Sequence, residues 1–299
     1  MMAASRPFSG NLSVNEPMAR HVSWRTGGFA ARAYSPLDLN DLANFLASLP
    51  KNEPLTFVGL GSNLLVRDGG YKGTVIFTHG ALKALRSEEE YIYAEAGVAS
   101  PKIARFAANQ GLGGAEFLAG IPGTMGGALA MNAGCYGSET WDIIARVRTI
   151  DRAGVLHERL PSEYDIAYRH VRLHAQQEEY FMGAWLSLAH RDSDAARANI
   201  RNLLERRIAA QPLQLPNAGS VFRNPPGDHA ARLIEAAGLK GMQMGGAQVS
   251  EKHANFIVNP AGIASATDIE KLIDLVQLTV QTKFGIELMR EIRIIGEPL

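Results

Sequence analysis

Three observations predict that this 299-residue chain folds as an α+β protein. Strands and helices alternate up to Gln110, a pattern that by itself suits α+β or α/β. The stretch from Ile143 to His190 is strand-rich, and beyond Gln211 helices and short strands alternate again.

Each element has a local reason. After Ser35-Pro36, the side chains of Leu39, Leu42, Phe45, Leu46 and Leu49 fall on one helical face, and Pro50 ends the helix. Leu55–Val58 is a short apolar strand, followed by GLGSNLLVRDGG and a second strand at Thr74–Phe77. Ser100-Pro101 opens a helix whose inner face carries Ile103, Phe106 and Ala107, with Gly111 just past its end. Strands follow within ARVRTIDRAG and YFMGAWLSLAH. A helix over Asp194–Ala210 faces Ile200, Leu203, Leu204 and Ile208 inward, and Gln211-Pro212 ends it at the connecting segment QPLQLPNAG. Next come a helix near Asp228–Ala237 stopped by Gly238 and a strand at Asn255–Val258. A helix from Thr267 then carries the stripe Ile269, Leu272, Ile273, Val276 and Val280, and the final strand is Glu291–Ile295.

The most informative stretch is GLGGAEFLAGIPGTMGGALAMNAGCYG, from Gly111 to Gly137, whose one formal charge is Glu116. Glycine at this density weakens helices and strands, so its use lies in the backbone. Main chain without Cβ atoms can approach a flat or phosphorylated molecule closely, which points to a nucleotide-like cofactor. Two plainer readings compete: a membrane span over Phe117–Ser138 with Gly123 and Gly127 as a GxxxG pair, and a structural Gly-rich connection. Pro122, Thr124, Asn132 and the glycines leave the first short of lipophilic bulk. A flexible linker would expose Phe117, Leu118, Ile121, Met125, Leu129 and Met131.

Composition bounds the partners. Hydrophobic residues make up 46% and charged residues 20%, so a sizeable core is possible. Thirty basic residues balance thirty acidic ones, which argues against general nucleic-acid or anionic-membrane binding. Cys135 is alone, so no intrachain disulfide and no cysteine zinc cluster is expected, and the eight histidines are scattered. The opening MMAASRPFSGNLSVNEP has no hydrophobic core for a secretory signal; a cytoplasmic protein without membrane insertion is expected.

Gly59-Leu60-Gly61-Ser62-Asn63-Leu64 begins like a dinucleotide fingerprint but lacks the third glycine. Leu64-Leu65-Val66 followed by Asp68-Gly69-Gly70 reads as strand and turn, not as the helix whose N-terminus would receive a pyrophosphate. A Gly-Ser-Asn turn can still nest phosphate oxygens on its amides.

NEPMARHVSWRTGG (Asn15–Gly28), GLGSNLLVRDGG, the glycine segment, Tyr168-Arg169, NAGSVFRNP (Asn217–Pro225) and EIRIIG occur in one order from about Asn15 to Gly296. In this the chain resembles the UDP-N-acetylenolpyruvoylglucosamine reductases, in their shorter class. The resemblance implies a two-part FAD-binding region of the vanillyl-alcohol-oxidase type, over 1–80 and 81–210. An α/β substrate domain would follow over 211–299, the last strand returning to the FAD region. It implies non-covalent FAD, NADPH as hydride donor, UDP-N-acetylglucosamine enolpyruvate as substrate, and a monomer without a metal.

The same resemblance assigns residues. Ser220 matches the proton donor, a hydroxyl that stays protonated at neutral pH. Arg169 matches the group that stabilises the enolate and substrate carboxylate, with a planar fork for paired oxygens. Glu291 matches the terminal acid, although Met289-Arg290 precede it in place of the more usual Glu-Pro; Glu287 lies four positions too early. The cofactor is assigned to Gly59, Gly61, Ser62, Asn63, Leu64, Gly120, Ile121, Pro122, Gly123, Gly126, Gly127, Ala133 and Gly134. Tyr168, Asn224, Gln248, His253 and Asn255 are candidate substrate contacts, and Cys135 is read as a small space-filling thiol. An oxidase on the same fold and a non-catalytic flavin-binding module are the alternatives.

Overall fold

The computed structural model describes residues 8–299; residues 1–7, the start of the expected first region and of the stretch read for a signal, lie outside the described residues. Contacts group the chain into two units. One comprises the residues up to Ser13, Arg32–Gly59 and Gly73–Glu205; the other comprises Val14–Ala31, Leu60–Lys72 and Arg206–Leu299.

Parallel strands Leu55–Val58 and Tyr71–Phe77 pair with Leu55 opposite Thr74. They extend a four-stranded sheet through Phe29–Ser35 to Asn11–Pro17. Helix Leu39–Ser48 packs Leu42, Phe45 and Leu46 against Tyr34, Ile76, Leu82, Ile150 and Met182. Its end at Ser48 follows from Pro50, because the residue before a proline avoids helical backbone, and Leu49 is extended. Asp41 anchors this corner by accepting from Tyr34 Oη at 2.5 Å and from the amides of Ser9 and Leu37. Burial pushes the Asp41 carboxyl up, but these hydrogen bonds outweigh it and hold the group below its ordinary range.

The strand-rich middle forms an antiparallel five-stranded sheet. Its order is Leu156–Arg159, Ile144–Asp151, Glu179–Ser187, Tyr91–Glu95, Leu85–Glu88. One face is buried under helix Ser100–Asn109 and the short helix Met125–Met131, with Ile92, Ala94, Ile103, Ala107, Met125, Leu129, Val147 and Leu186 in the core. Helix Ser193–Ala210 buries Ala196, Ile200 and Leu203 and packs Leu204 beside them. The expectation for Ile208 fails, since it is 59% exposed. The helix is longer than the apolar surface it covers, and its last turn carries one large apolar side chain outward.

The second unit draws its core from distant stretches, including Trp24, Leu65, Val221, Phe222, Leu233, Ile234, Leu288 and Ile292. Helix Ala266–Phe284 buries all five expected stripe residues, starts at a Ser265–Asp268 capping box and stops at Gly285, whose φ is 69°. Helix Ala230–Ala236 is followed by Gly238 at φ 76°. Two expected strands are shorter than the apolar pattern suggested. Ile257–Val258 replaces Asn255–Val258, because Asn255 turns its backbone and side chain onto Val221 and Phe222. Arg293–Ile295 replaces Glu291–Ile295 and pairs parallel with Leu64–Val66. Strand Leu64–Val66, with no helix after it, bears out the rejection of a dinucleotide fingerprint.

Candidate active site

The glycine segment is ordered main chain in the first unit. Gly126 and Gly134 are needed by the protein's own packing: a Cβ would meet Ala96 Cβ at 2.9 Å and Ser138 O at 2.5 Å. At Gly120 it would strike Cys135 Sγ at 2.8 Å, and the thiol itself donates to Phe117 O at 3.1 Å. Gly127 differs: it is exposed, and a Cβ there would meet only Thr124 Oγ1, at 4.0 Å. Gly59 abuts the same hydroxyl, where a Cβ would lie 2.2 Å from Thr124 Oγ1. Thr124 is 1% exposed and its Oγ1 has no hydrogen-bond partner among the described residues. An orphaned buried hydroxyl flanked by two bare glycines is what a cofactor's oxygen atoms would complete, so this wall fits FAD.

In the second unit, Gly61 has φ 60° and lies against His21 O, where a Cβ would fall at 2.1 Å. Ser62 is half-buried, Asn63 joins the Glu291 segment as described below, and Leu64 enters its strand. The rest of this motif is structural. Arg67 forms a bidentate pair with Glu270 at 2.8 Å, and Asp68 accepts from the amides of Ala266 and Thr267 at the start of the long helix.

Arg169 is presented by a hairpin of the first unit. Strands Tyr164–Ala167 and His170–Leu173 pair with Ala167 opposite His170, which leaves Tyr168 and Arg169 as the two-residue turn. Arg169 has φ 54°, a left-handed backbone where a non-glycine residue is strained. Its guanidinium donates to the carbonyls of Asn132 and Gly134 at 3.2 Å each and lies 5.1 Å from the Tyr168 ring centroid. Tyr168 is 45% exposed. The glycine segment thus orients the arginine from below.

Asn132 makes that possible, and sequence reasoning missed it. It closes helix Met125–Met131 at φ 41°, is 1% exposed, donates to Glu139 Oε2 and Ala167 O, and accepts from Trp141 N. The available signal was an asparagine directly after an apolar helical run, the residue type best suited to a left-handed cap besides glycine.

The root of the hairpin is also fixed. Glu179, whose side chain is 2% exposed, receives a fork from Arg159 at 2.6 and 3.2 Å and a bond from Thr149 at 2.5 Å. Burial raises its carboxyl, but Arg159, Thr149 and Gln177 outweigh this and lower it to about 2. Arg159 also reaches Glu163, one residue before the hairpin.

The segment that follows Ser220 pairs with the segment of Glu291 in the second unit. Glu291 N donates to Val221 O at 2.8 Å, Arg223 N donates to Met289 O at 2.9 Å, and Phe222 bridges Arg290. Asn63 Nδ2 donates to Glu291 O at 3.1 Å, which ties the GLGSN turn to the same ladder. Ser220 and Glu291 are half-buried, whereas Glu287 is exposed.

The substrate candidates of this unit are largely engaged. Asn224 Oδ1 accepts from Ala230 N at 3.1 Å, and Gln248 donates to Gly241 O at 3.4 Å. His253 packs its ring edge on Phe256, and burial holds its imidazole below the ordinary pKa. Asn255 is 4% exposed and bonds both main-chain groups of Phe222. Among the described residues no group of three or more His, Cys, Asp or Glu side chains has metal-binding geometry.

Two family models match the chain: an FAD binding domain over residues 30–159 and the UDP-N-acetylenolpyruvoylglucosamine reductase C-terminal domain over residues 211–295. The reductase of that name from Thiobacillus denitrificans is 59% identical, over 96% of this chain and 93% of its own length. The one from Alkalilimnicola ehrlichii is 56% identical over 99% of both. The crystal structure of the reductase from Thermus caldophilus is similar with a TM-score of 0.80 at 30% identity, covering 96% of this chain and 98% of that one.

Proposed function

The chain belongs to the UDP-N-acetylenolpyruvoylglucosamine reductase family, and we propose that Arg169, Ser220 and Glu291 are the residues through which it does the family's chemistry. It is a flavin-dependent oxidoreductase of peptidoglycan synthesis, reducing UDP-N-acetylglucosamine enolpyruvate to UDP-N-acetylmuramate with NADPH. FAD, when bound, supplies the hydride-transfer chemistry between NADPH and the enolpyruvyl group. We assign its binding to the main chain of Gly59–Leu64 and Gly120–Gly134, with the Thr124 hydroxyl as an added donor.

Hydride addition to the methylene carbon leaves an electron pair on the carbon beside the carboxylate. The Arg169 guanidinium, permanently cationic and forked, stabilises that enolate. Ser220 donates its hydroxyl proton to the carbon, completing the saturated lactyl ether. Glu291 polarises the substrate or returns a proton to Ser220. The observation that supports the assignment is the main-chain ladder that joins Val221, next to Ser220, to Glu291 across some seventy residues of sequence. Tyr168, Gln248 and His253 stay assigned to substrate contact. A cytoplasmic monomer with FAD-binding regions over 1–80 and 81–210 and a substrate domain over 211–299 completes the proposal, and the lone Cys135 suits a reducing compartment.

The test is anaerobic half-reaction spectroscopy. The purified protein is yellow and NADPH bleaches it. Ser220→Ala bleaches at the wild-type rate but reoxidises slowly with the enolpyruvyl substrate. Wild-type turnover by that variant removes Ser220 from the mechanism.

A further inference from the structure

We infer that Asn255 is the positioning residue for Ser220, an inference that rests on Ser220 being the proton donor. Val221 and Phe222, the two residues after Ser220, run between two supports. On one side Val221 O accepts from Glu291 N at 2.8 Å. On the other, one residue makes three hydrogen bonds: Asn255 O accepts from Val221 N at 2.9 Å, Asn255 Oδ1 accepts from Phe222 N at 3.0 Å, and Asn255 Nδ2 donates to Phe222 O at 2.8 Å.

The carboxamide therefore stands where a neighbouring strand's peptide would stand, pairing with the donor and acceptor of one residue at once. Only an uncharged group with a donor and an acceptor side by side can do this. Asn255 and Phe222 are 4% and 1% exposed, so water cannot replace either bond. Three bonds on two consecutive residues fix the direction in which the chain presents Ser220. Behind it, Gly219 N donates to Asn217 Oδ1 at 3.0 Å, so the approach to the serine is fixed as well. A hydroxyl that must reach a carbanion is sensitive to such placement, since a misplacement of about 1 Å costs on the order of 10²-fold in rate.

The replacement Asn255→Asp makes this placement switchable. Ionised, its carboxylate accepts from Phe222 N but turns lone pairs toward Phe222 O; protonated, it regains a donor and matches the carboxamide. Burial raises a carboxyl above its ordinary value of about 3.9, which brings the switch into a workable range.

The experiment uses the FAD-loaded protein in stopped flow, each rate divided by the wild-type rate at the same pH, with Ser220→Ala run in parallel. For Asn255→Asp, bleaching by NADPH stays within about two-fold of wild type at every pH. Reoxidation by the enolpyruvyl substrate is ten- to a hundred-fold slower at pH 8 and recovers to within about three-fold at pH 5.5. Wild-type reoxidation at pH 8, equal loss in both half-reactions, or no recovery on acidification overturns the inference. If Asn255→Asp does not retain FAD at pH 8, Asn255→Ser is read by the same split between half-reactions, and loss of FAD from both variants also overturns it. Wild-type turnover by Ser220→Ala would instead remove the reading of Ser220, whatever Asn255→Asp does.

Discussion

Arg169 stands on the turn of a hairpin with its backbone in the left-handed region, whereas Ser220 leads into extended main chain bonded on both sides. The arginine is steered by two carbonyls of the glycine segment, and the strain at its own backbone is offset by the hairpin pairing and the ion pairs at its root. The serine's neighbours are held by a backbone ladder and a buried carboxamide, with no left-handed residue between Ser220 and Arg223. The difference suits the tasks we propose for them. A cation that meets charge spread over oxygen atoms is served by a projecting turn, while a proton donor aimed at one carbon is served by fixed main chain.

The sharpest way to break this comparison is Arg169→Lys, which keeps the charge and removes the fork. The reoxidation half-reaction is expected to fall by 10²–10³-fold, about 2.7–4 kcal/mol, with bleaching by NADPH unchanged. A loss below about three-fold would mean that charge alone suffices. Next in size is Glu179→Gln at the hairpin root. A folded-state value of about 2 lies below the unfolded carboxylate value, so the pair stabilises the fold at and above about pH 4.5. That stability is lost as pH falls from about 4.5 toward 2. The variant should be destabilised by about 3 kcal/mol at neutral pH in denaturant melts and lose the wild-type dependence in the acid window. An unchanged acid profile would place the root's stability elsewhere. The smallest effect separates strain from chemistry: Arg169→Gly and Arg169→Ala should be equally inactive, but the glycine variant more stable by about 1 kcal/mol. Equal stability would show that the turn carries no backbone cost.

Much of the fold was legible because periodicity reports burial directly. The stripe Ile269, Leu272, Ile273, Val276 and Val280 is fully buried, and Pro50, Gly111 and Gly238 stop their helices where expected. Ile208 misled because periodicity shows which face is apolar but not how far the surface beneath it extends. Asn255 and Glu291 misled in another way. Both sit beside apolar runs that read as strands, and both leave the regular ladder to bond Val221 or Phe222, some 33 residues away for the Asn255–Phe222 bonds. Side-chain substitution for a peptide leaves no periodic trace. The glycines serve the fold as well: at Gly59, Gly61, Gly126 and Gly134 the missing Cβ makes room for the protein itself, which no sequence pattern shows.

The pairing of Leu64–Val66 with Arg293–Ile295 bears on how the enzyme comes into being during synthesis. The GLGSN turn leaves the ribosome early, yet the Asn63–Glu291 bond that ties it to the acid spans 228 positions. Until translation has passed Ile295, strand Leu64–Val66 lacks the parallel partner it has in the folded protein. Contacts of such sequence separation form slowly. A growing chain can therefore complete the five-stranded sheet, whose members all lie before residue 188, well before Glu291 has been added.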